Sequence, residues 1–233
     1  MQKAKPIKQE LHSVADPDIA AHSGRFFKTG PGEYGEGDKF LGIRVPVVRK
    51  IGRKYQQLPL NEIEHLIRSP YHEERLLALF ILTYKFPKSD EQEQEQIYNF
   101  YLAHIRYVNN WDLVDSSAPK IIGAWLMDRP KELLYKLATS DNLWERRISI
   151  LATFHFIKNG QFEDTLKIAD LLLEDDHDLI HKAVGWMLRE IGNRDPNQLT
   201  DFLESRHEKM PRTMLRYAIE KLPEKIRTGY LKR

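Results

Sequence analysis

The sequence predicts an all-α fold assembled from stacked pairs of helices. Three observations carry that expectation. From Leu60 onward, apolar residues recur at spacings of three and four, the signature of helices with one buried face. No stretch alternates apolar and polar residues for long enough to make a strand. The second members of the helix pairs begin near Tyr71, Trp111, Leu143, Asp178 and Arg212. Their spacing of roughly 30 to 40 residues matches two-helix solenoid repeats. A single pair cannot hide its own apolar face, so pairs must stack on a shared core. Identity between the repeats is weak, and an irregular helical domain is the alternative.

Residues 1–24 are read as an N-terminal helical region. Residues 29–39, TGPGEYGEGDK, hold four glycines and a proline and read as a mobile surface loop. This segment is no phosphate cradle. It lacks the GxxxxGK[ST] arrangement, and Glu33, Glu36 and Asp38 would repel phosphate. Helical periodicity then covers residues 60–67, 71–86, 92–107, 111–127 and 131–138. It continues over 143–157, 162–173, 179–191, 196–205 and 212–222. Ser89 precedes three acidic residues in the next four positions and marks a helix start. Pro130, Pro196 and Pro211 fall where a first-turn proline is tolerated. Gly160 and Gly192 stand just past apolar segments, as helix C-caps do.

Bulk properties narrow the function. A chain of 233 residues suits one domain or one continuous repeat array, taken here as a single domain over 1–233. Hydrophobic residues make up 41% and charged residues 30%, enough for a core with a soluble surface. Formal net charge is +2, so any nucleic-acid-binding surface must be a local basic patch. With no cysteine, disulfides and thiolate metal sites are excluded. The first ten residues carry lysines, but no apolar stretch follows, so they read as neither signal peptide nor anchor. The longest apolar run, 76–83, is too short to span a bilayer. The expectation is a cytoplasmic monomer with no membrane association, metal or cofactor.

The stretch Asn110-Trp111-Asp112-Leu113-Val114-Asp115 is the most informative. If Asn110 caps a helix, Trp111 and Asp115 share one face and Asp112 lies in the first turn, favoured by the helix dipole. The positions three and four away from Asp115 hold Asp112, Ala118, Trp111 and Pro119, none a cation. Pro119 also removes the hydrogen bond to the carbonyl of residue 115. A carboxylate therefore lies beside an indole on a disturbed backbone. It serves either in chemistry, or in a structural contact with another helix or solvent.

Asp141 or Asn142 caps the helix holding Arg147, whose guanidinium suits a phosphate or an inter-repeat ion pair. Arg75, Arg147, Lys182 and Arg212 occupy similar early positions in successive second-member helices. Such a row would make a basic stripe along a phosphate backbone. Trp186 is a second indole on the presumed inner surface, or a core residue. His177 and His181 bracket an HDxxH stretch that approaches the zinc-protease pattern, but Asp178 replaces the glutamate and no third ligand other than Glu190 presents itself.

WDLVD, NLWERR, KAVGWMLRE and the FLGIRVP stretch after the glycine loop together resemble the AlkD-type DNA alkylation repair glycosylases. The likeness runs from about Arg25 to beyond Arg189. The resemblance implies an α-helical solenoid of HEAT-like repeats, an α-α superhelix with a concave basic face. It implies excision of cationic N3- and N7-alkylpurines from double-stranded DNA. Asp115 matches the family's catalytic aspartate and Trp111 the indole one turn before it. Arg147 matches an arginine near the DNA backbone, and Trp186 the second indole. The aromatic residue of the early helix falls at Phe26, so where a relative has tyrosine this chain offers no hydroxyl. The resemblance further implies that the lesion stays exposed instead of entering a deep pocket.

Overall fold

A computed structural model describes residues 2–232. Every regular element among them is a helix; the one β-type contact is an isolated bridge between Lys39 and Tyr71. The all-α expectation is borne out. The chain divides into two compact units, the first ending at Ile121 and the second starting at Ile122. Among the described residues, no helix is long and apolar enough to cross a membrane.

The first unit contains α1 (Ala4–His12), α2 (Pro17–Phe26), α3 (Val45–Lys54), α4 (Leu60–Ile67), α5 (His72–Lys85), α6 (Glu91–Ala103) and α7 (Trp111–Ser117). Helix α3 has no counterpart in the sequence reading. Its buried residues are only Val48, Ile51 and Gly52, and the rest of the helix is largely charged and exposed. Helix α5 is the core of the unit, with α3, α4 and α7 packed on it. Twelve of its fourteen residues are buried, so it has almost no solvent face. Truncating one of its fully buried leucines, such as Leu77, would cost about 2–5 kcal/mol.

Burial extends to the polar start of α5, where His72, Glu73, Glu74 and Arg75 are all below 5% exposed. Each has a partner elsewhere in the unit. Glu73 accepts hydrogen bonds from the backbone N–H groups of Leu41, Gly42 and Ile43 at 2.8, 2.8 and 3.1 Å. Glu74 takes Lys8 and His12 from α1, both at 2.7 Å. Arg75 donates to Asp38 at 2.8 Å and to the Ser69 carbonyl at 3.1 Å. A buried carboxylate with several N–H donors is satisfied as an anion, which is what makes this polar core tolerable.

These contacts change the reading of the glycine-rich segment. It is not a free surface loop. The Asp38 side chain is 2% exposed and is gripped by both His72 and Arg75. The Lys39 carbonyl accepts from the His72 N–H at 2.7 Å. Gly42, just beyond, has φ +78, and a Cβ there would lie 1.9 Å from the Asp16 carbonyl oxygen. Only glycine fits so close to the start of α2.

The second unit contains α8 (Ile122–Leu126), α9 (Glu132–Ala138), α10 (Leu143–Ala152), α11 (Phe154–Lys158), α12 (Glu163–Leu171), α13 (Asp178–Gly192), α14 (Pro196–Glu204), α15 (Arg212–Ala218) and α16 (Glu224–Leu231). Here the pairing is direct. Helix α9 packs on α10, and α12 and α14 pack on α13. The second members α10, α13 and α15 pack in succession, as stacked pairs require. Their starts at Leu143, Asp178 and Arg212 coincide with the expected ones. Asn142 caps α10 and Pro196 opens α14, also as expected. Gly160 takes φ +75 after α11, but Gly192 stays inside α13, where its missing side chain leaves room for Leu199. The start of α6 differs slightly too: Asp90, not Ser89, supplies the capping oxygen, accepting from the Glu93 N–H at 2.9 Å.

Candidate functional site

Helix α7 places the candidate carboxylate. Asn110 caps it, its Oδ1 accepting from the Trp111 N–H at 2.8 Å. At the other end, Pro119 cannot donate a backbone hydrogen bond, and α7 stops at Ser117 before a 3-10 turn over Ala118–Lys120. The helix is therefore two turns long and carries Trp111, Asp112, Asp115 and Ser116 outward. These four line a cavity of about 480 Å³ within the first unit. Phe26 and Phe27 from the end of α2, Val45 and Arg49 from α3, and Leu76 and Phe80 from α5 complete the wall.

The wall is mainly aromatic. Trp111 stacks on Phe27 with centroids 5.2 Å apart, and Phe26 meets Trp111 edge-on at 6.0 Å. Phe27 also stacks on Phe40 at 5.1 Å, and Phe40 stacks on the His72 ring at 4.6 Å. Such pairs fix ring orientation and are worth about 0.5–1.5 kcal/mol each beyond area burial. Phe26 is 58% exposed, so the cavity opens beside a bare aromatic face.

Behind the wall lies a buried charge cluster. His72 contacts Asp38 through Nδ1 and Asp112 through Nε2, each at 2.8 Å. Burial opposes a charge on this imidazole, but the Asp112 and Asp38 carboxylates outweigh it and raise its pKa to about 9. Asp38 is likewise opposed by burial, yet its contacts with His72 and Arg75 hold it below the usual carboxylate range. Asp112 thus has two tasks. Its Oδ1 accepts from the Leu113 N–H at 2.9 Å in the first turn of α7, while Oδ2 takes the imidazolium. The cluster ties α7, the helix that carries Asp115, to α5.

The fold brings together three of the residues singled out from the sequence: Trp111, Asp115 and Phe26. Arg75 is a correction. It is 4% exposed and paired with Asp38, so it holds the glycine-rich segment and cannot face a phosphate. The row of exposed cations starting at Arg75 is broken for that reason. Arg147 breaks it again. It is 5% exposed and donates to the Leu179 carbonyl, linking α10 to α13. In the second unit, Lys182 is part-exposed and pairs with Asp178 at 2.6 Å. Arg212 is exposed and donates to the Leu231 carbonyl at 3.2 Å. Trp186 is half-buried; its ring lies 5.6 Å from Phe154 and its indole N–H donates to Glu190 at 3.3 Å. One nitrogen of His177 accepts the Leu179 N–H, and His181 contacts the Asp175 carbonyl, so both serve the start of α13.

Sequence reasoning missed Phe27, His72 and Arg49. Phe27 and His72 gave no signal beyond residue type. Arg49 lies on α3, whose short buried stripe concealed the helix itself.

A family model for the DNA alkylation repair enzymes matches residues 7–222. The chain belongs to that family. Among solved structures, it is similar to a predicted DNA alkylation repair enzyme from Enterococcus faecalis, at 17% identity and a TM-score of 0.71. That match covers 90% of this chain and 97% of the other. It is also similar to AlkD2 from Streptococcus mutans, at 15% identity and a TM-score of 0.55, covering 95% and 97% of the two chains. At such identities the likeness concerns the fold, and the helical-repeat fold of this DNA alkylation repair family member is shared with both. No curated protein matches the sequence significantly.

Proposed function

We propose that the protein is a monofunctional DNA glycosylase that hydrolyses the N-glycosidic bond of cationic N3- and N7-alkylated purines in duplex DNA. The observation that carries this reading is the position of Asp115: a carboxylate on the wall of an aromatic cavity that it shares with Trp111 and the exposed Phe26. Membership of the DNA alkylation repair family supports alkylated DNA as the substrate. The choice of cationic N3- and N7-alkylpurines follows from the resemblance carried by the WDLVD, NLWERR and KAVGWMLRE stretches.

Alkylation at N7 or N3 makes the purine cationic and a good leaving group, so no acid is needed to protonate it. What the reaction needs is stabilisation of the sugar as it takes on oxocarbenium character. A fixed carboxylate interacts more strongly with that sugar in the transition state than in the ground state, and this difference accelerates the step. Asp115 supplies the charge and a hydrogen-bond acceptor for the attacking water. The Trp111 face, with Phe26 and Phe27 around it, attracts a cationic ring. The Asp112 charge is matched by the His72 imidazolium, so Asp115 is the carboxylate that favours positive charge on the α7 wall of the cavity. The role of Trp186 beside the cationic base rests on the family resemblance, and those of Lys182 and Arg212 in holding DNA rest on their similar positions in successive second-member helices.

The test is release of free 7-methylguanine from methylated duplex DNA by the wild type and Asp115→Asn side by side. Release by the wild type, lost in the variant with DNA binding retained, is the expected result. Salt-sensitive DNA binding without release by either protein would favour a non-catalytic protein that binds damaged or distorted DNA.

A further inference from the structure

We propose that the outward face of α3 is the edge of the site that grips the DNA backbone, with Arg49, Lys50 and Arg53 contacting successive phosphates. The inference rests on the reading of DNA as the ligand and adds residues that neither the family likeness nor the sequence pattern assigns. Arg49, Lys50 and Arg53 are all exposed on one helix whose opposite side, Val48, Ile51 and Gly52, is buried. None of the three makes an ion pair with a carboxylate among the described residues, in a chain where many surface cations do.

Two of these cations are held in place. The Arg49 guanidinium lies 5.2 Å from the centroid of the Phe80 ring, and that of Arg53 lies 5.6 Å from the Tyr84 ring. Arg49 and Arg53 are one turn apart on α3, and Phe80 and Tyr84 one turn apart on α5, so the two contacts form a ladder between the helices. Gly52 permits that approach. A Cβ at residue 52 would lie only 3.2 Å from the Phe80 Cβ and 3.3 Å from the Tyr84 ring. An arginine laid on a ring keeps its N–H fork free at the edges, which suits phosphate recognition. The two arginines are separated by about 6 Å along the helix axis, of the same order as neighbouring phosphates on one strand.

The position of the ladder decides the partner. Arg49 and Val45 line the cavity that holds Asp115. Asp115 lines the cavity from α7 and Arg49 lines it from α3, with Lys50 and Arg53 further along the exposed side of the same helix. A ligand with a cationic centre and flanking negative charges fits this arrangement, as an alkylated nucleotide within a DNA strand does. Phosphate contacts of this kind fix register without reading sequence.

The experiment measures binding of an unmodified duplex as a function of salt. Each phosphate contact contributes about 0.9 to the slope of log affinity against log salt. Replacing Arg49, Lys50 and Arg53 together by glutamine should therefore lower the slope by about 3. Between ~50 and ~200 mM salt, the wild type should lose ~40-fold more affinity than this variant. Neutralising Lys3, Lys5 and Lys88, exposed elsewhere in the first unit, should leave the slope nearly unchanged. Arg49→Lys with Arg53→Lys retains the charge and should retain the slope, which separates loss of charge from loss of packing on Phe80 and Tyr84. An unchanged slope in the glutamine variant, an equal fall in the control, or a full loss in the lysine variant would each overturn the proposal. Base release is read separately. DNA binding through α3 without release would refute the glycosylase reading alone, whereas absence of DNA binding by the wild type would refute both.

Discussion

His72 on α5 donates from Nε2 to the Asp112 carboxylate on α7 across 2.8 Å, while its Nδ1 holds Asp38 at the same distance. One buried imidazolium thus joins the glycine-rich segment, the central helix and the helix of the candidate carboxylate. Its pKa is raised from 6.5 to about 9 against the opposing effect of burial. Because the folded value lies above the unfolded one, this stabilisation is fully present below about pH 6.5 and is lost as pH rises through 9. The contribution is at most on the order of 3 kcal/mol. The thermal midpoint of the wild type should fall across that window, and that of His72→Gln should be flatter. Parallel curves would show that the imidazolium is not the link.

Removing Asp38 should free the glycine-rich segment. Asp38→Ala leaves His72 with one carboxylate and Arg75 with none of its own, in a setting where both are at most 5% exposed. Breaking a buried pair in this way costs about 3–5 kcal/mol. Chemical denaturation should register that loss, and limited proteolysis should begin within residues 29–37. A variant as stable and as protease-resistant as the wild type would mean that Asp38 does not anchor the segment.

Lesion charge should decide which bases are released. Asp115 stabilises a cationic sugar, and the reading assigns no group to protonate the departing base, so uracil and hypoxanthine should remain in DNA under conditions that remove 7-methylguanine. Efficient excision of uracil would contradict the mechanism.

Lesion size should matter less than charge. The wall beside Asp115 includes Phe26, which is 58% exposed, so the site opens directly to solvent. A bulky cationic N7 adduct in duplex DNA should be removed at a rate comparable to the methyl lesion. Efficient methyl removal with no excision of the adduct would indicate that the base is enclosed instead.

The periodicity of apolar residues determined α9, α10 and α12 to α15 of the second unit, where a buried stripe is legible at intervals of three and four, whereas α16 buries no residue and left no stripe to read. Local chemistry likewise determined the start of α7, through the Asn110 cap; its end at Ser117 falls inside the span 111–127 that periodicity joined, because Pro119 withholds a backbone hydrogen bond there. The WDLVD motif was enough to single out Trp111 and Asp115. Only the tertiary structure decided what surrounds them. Arg75, near the start of α5, reads from its position in the sequence like a phosphate ligand. Long-range contacts with Lys8, Asp38 and Leu41 bury Arg75 and its neighbours His72, Glu73 and Glu74 instead. Such pairing joins residues more than thirty positions apart, so no window along the chain reveals it. Arg49 shows the converse. Its helix buries too little to be read from periodicity, and its place on the cavity wall follows from packing of α3 against α5. Local hydrogen bonding and burial period are written residue by residue, whereas the environment of a charge is set by whichever distant segments fold against it.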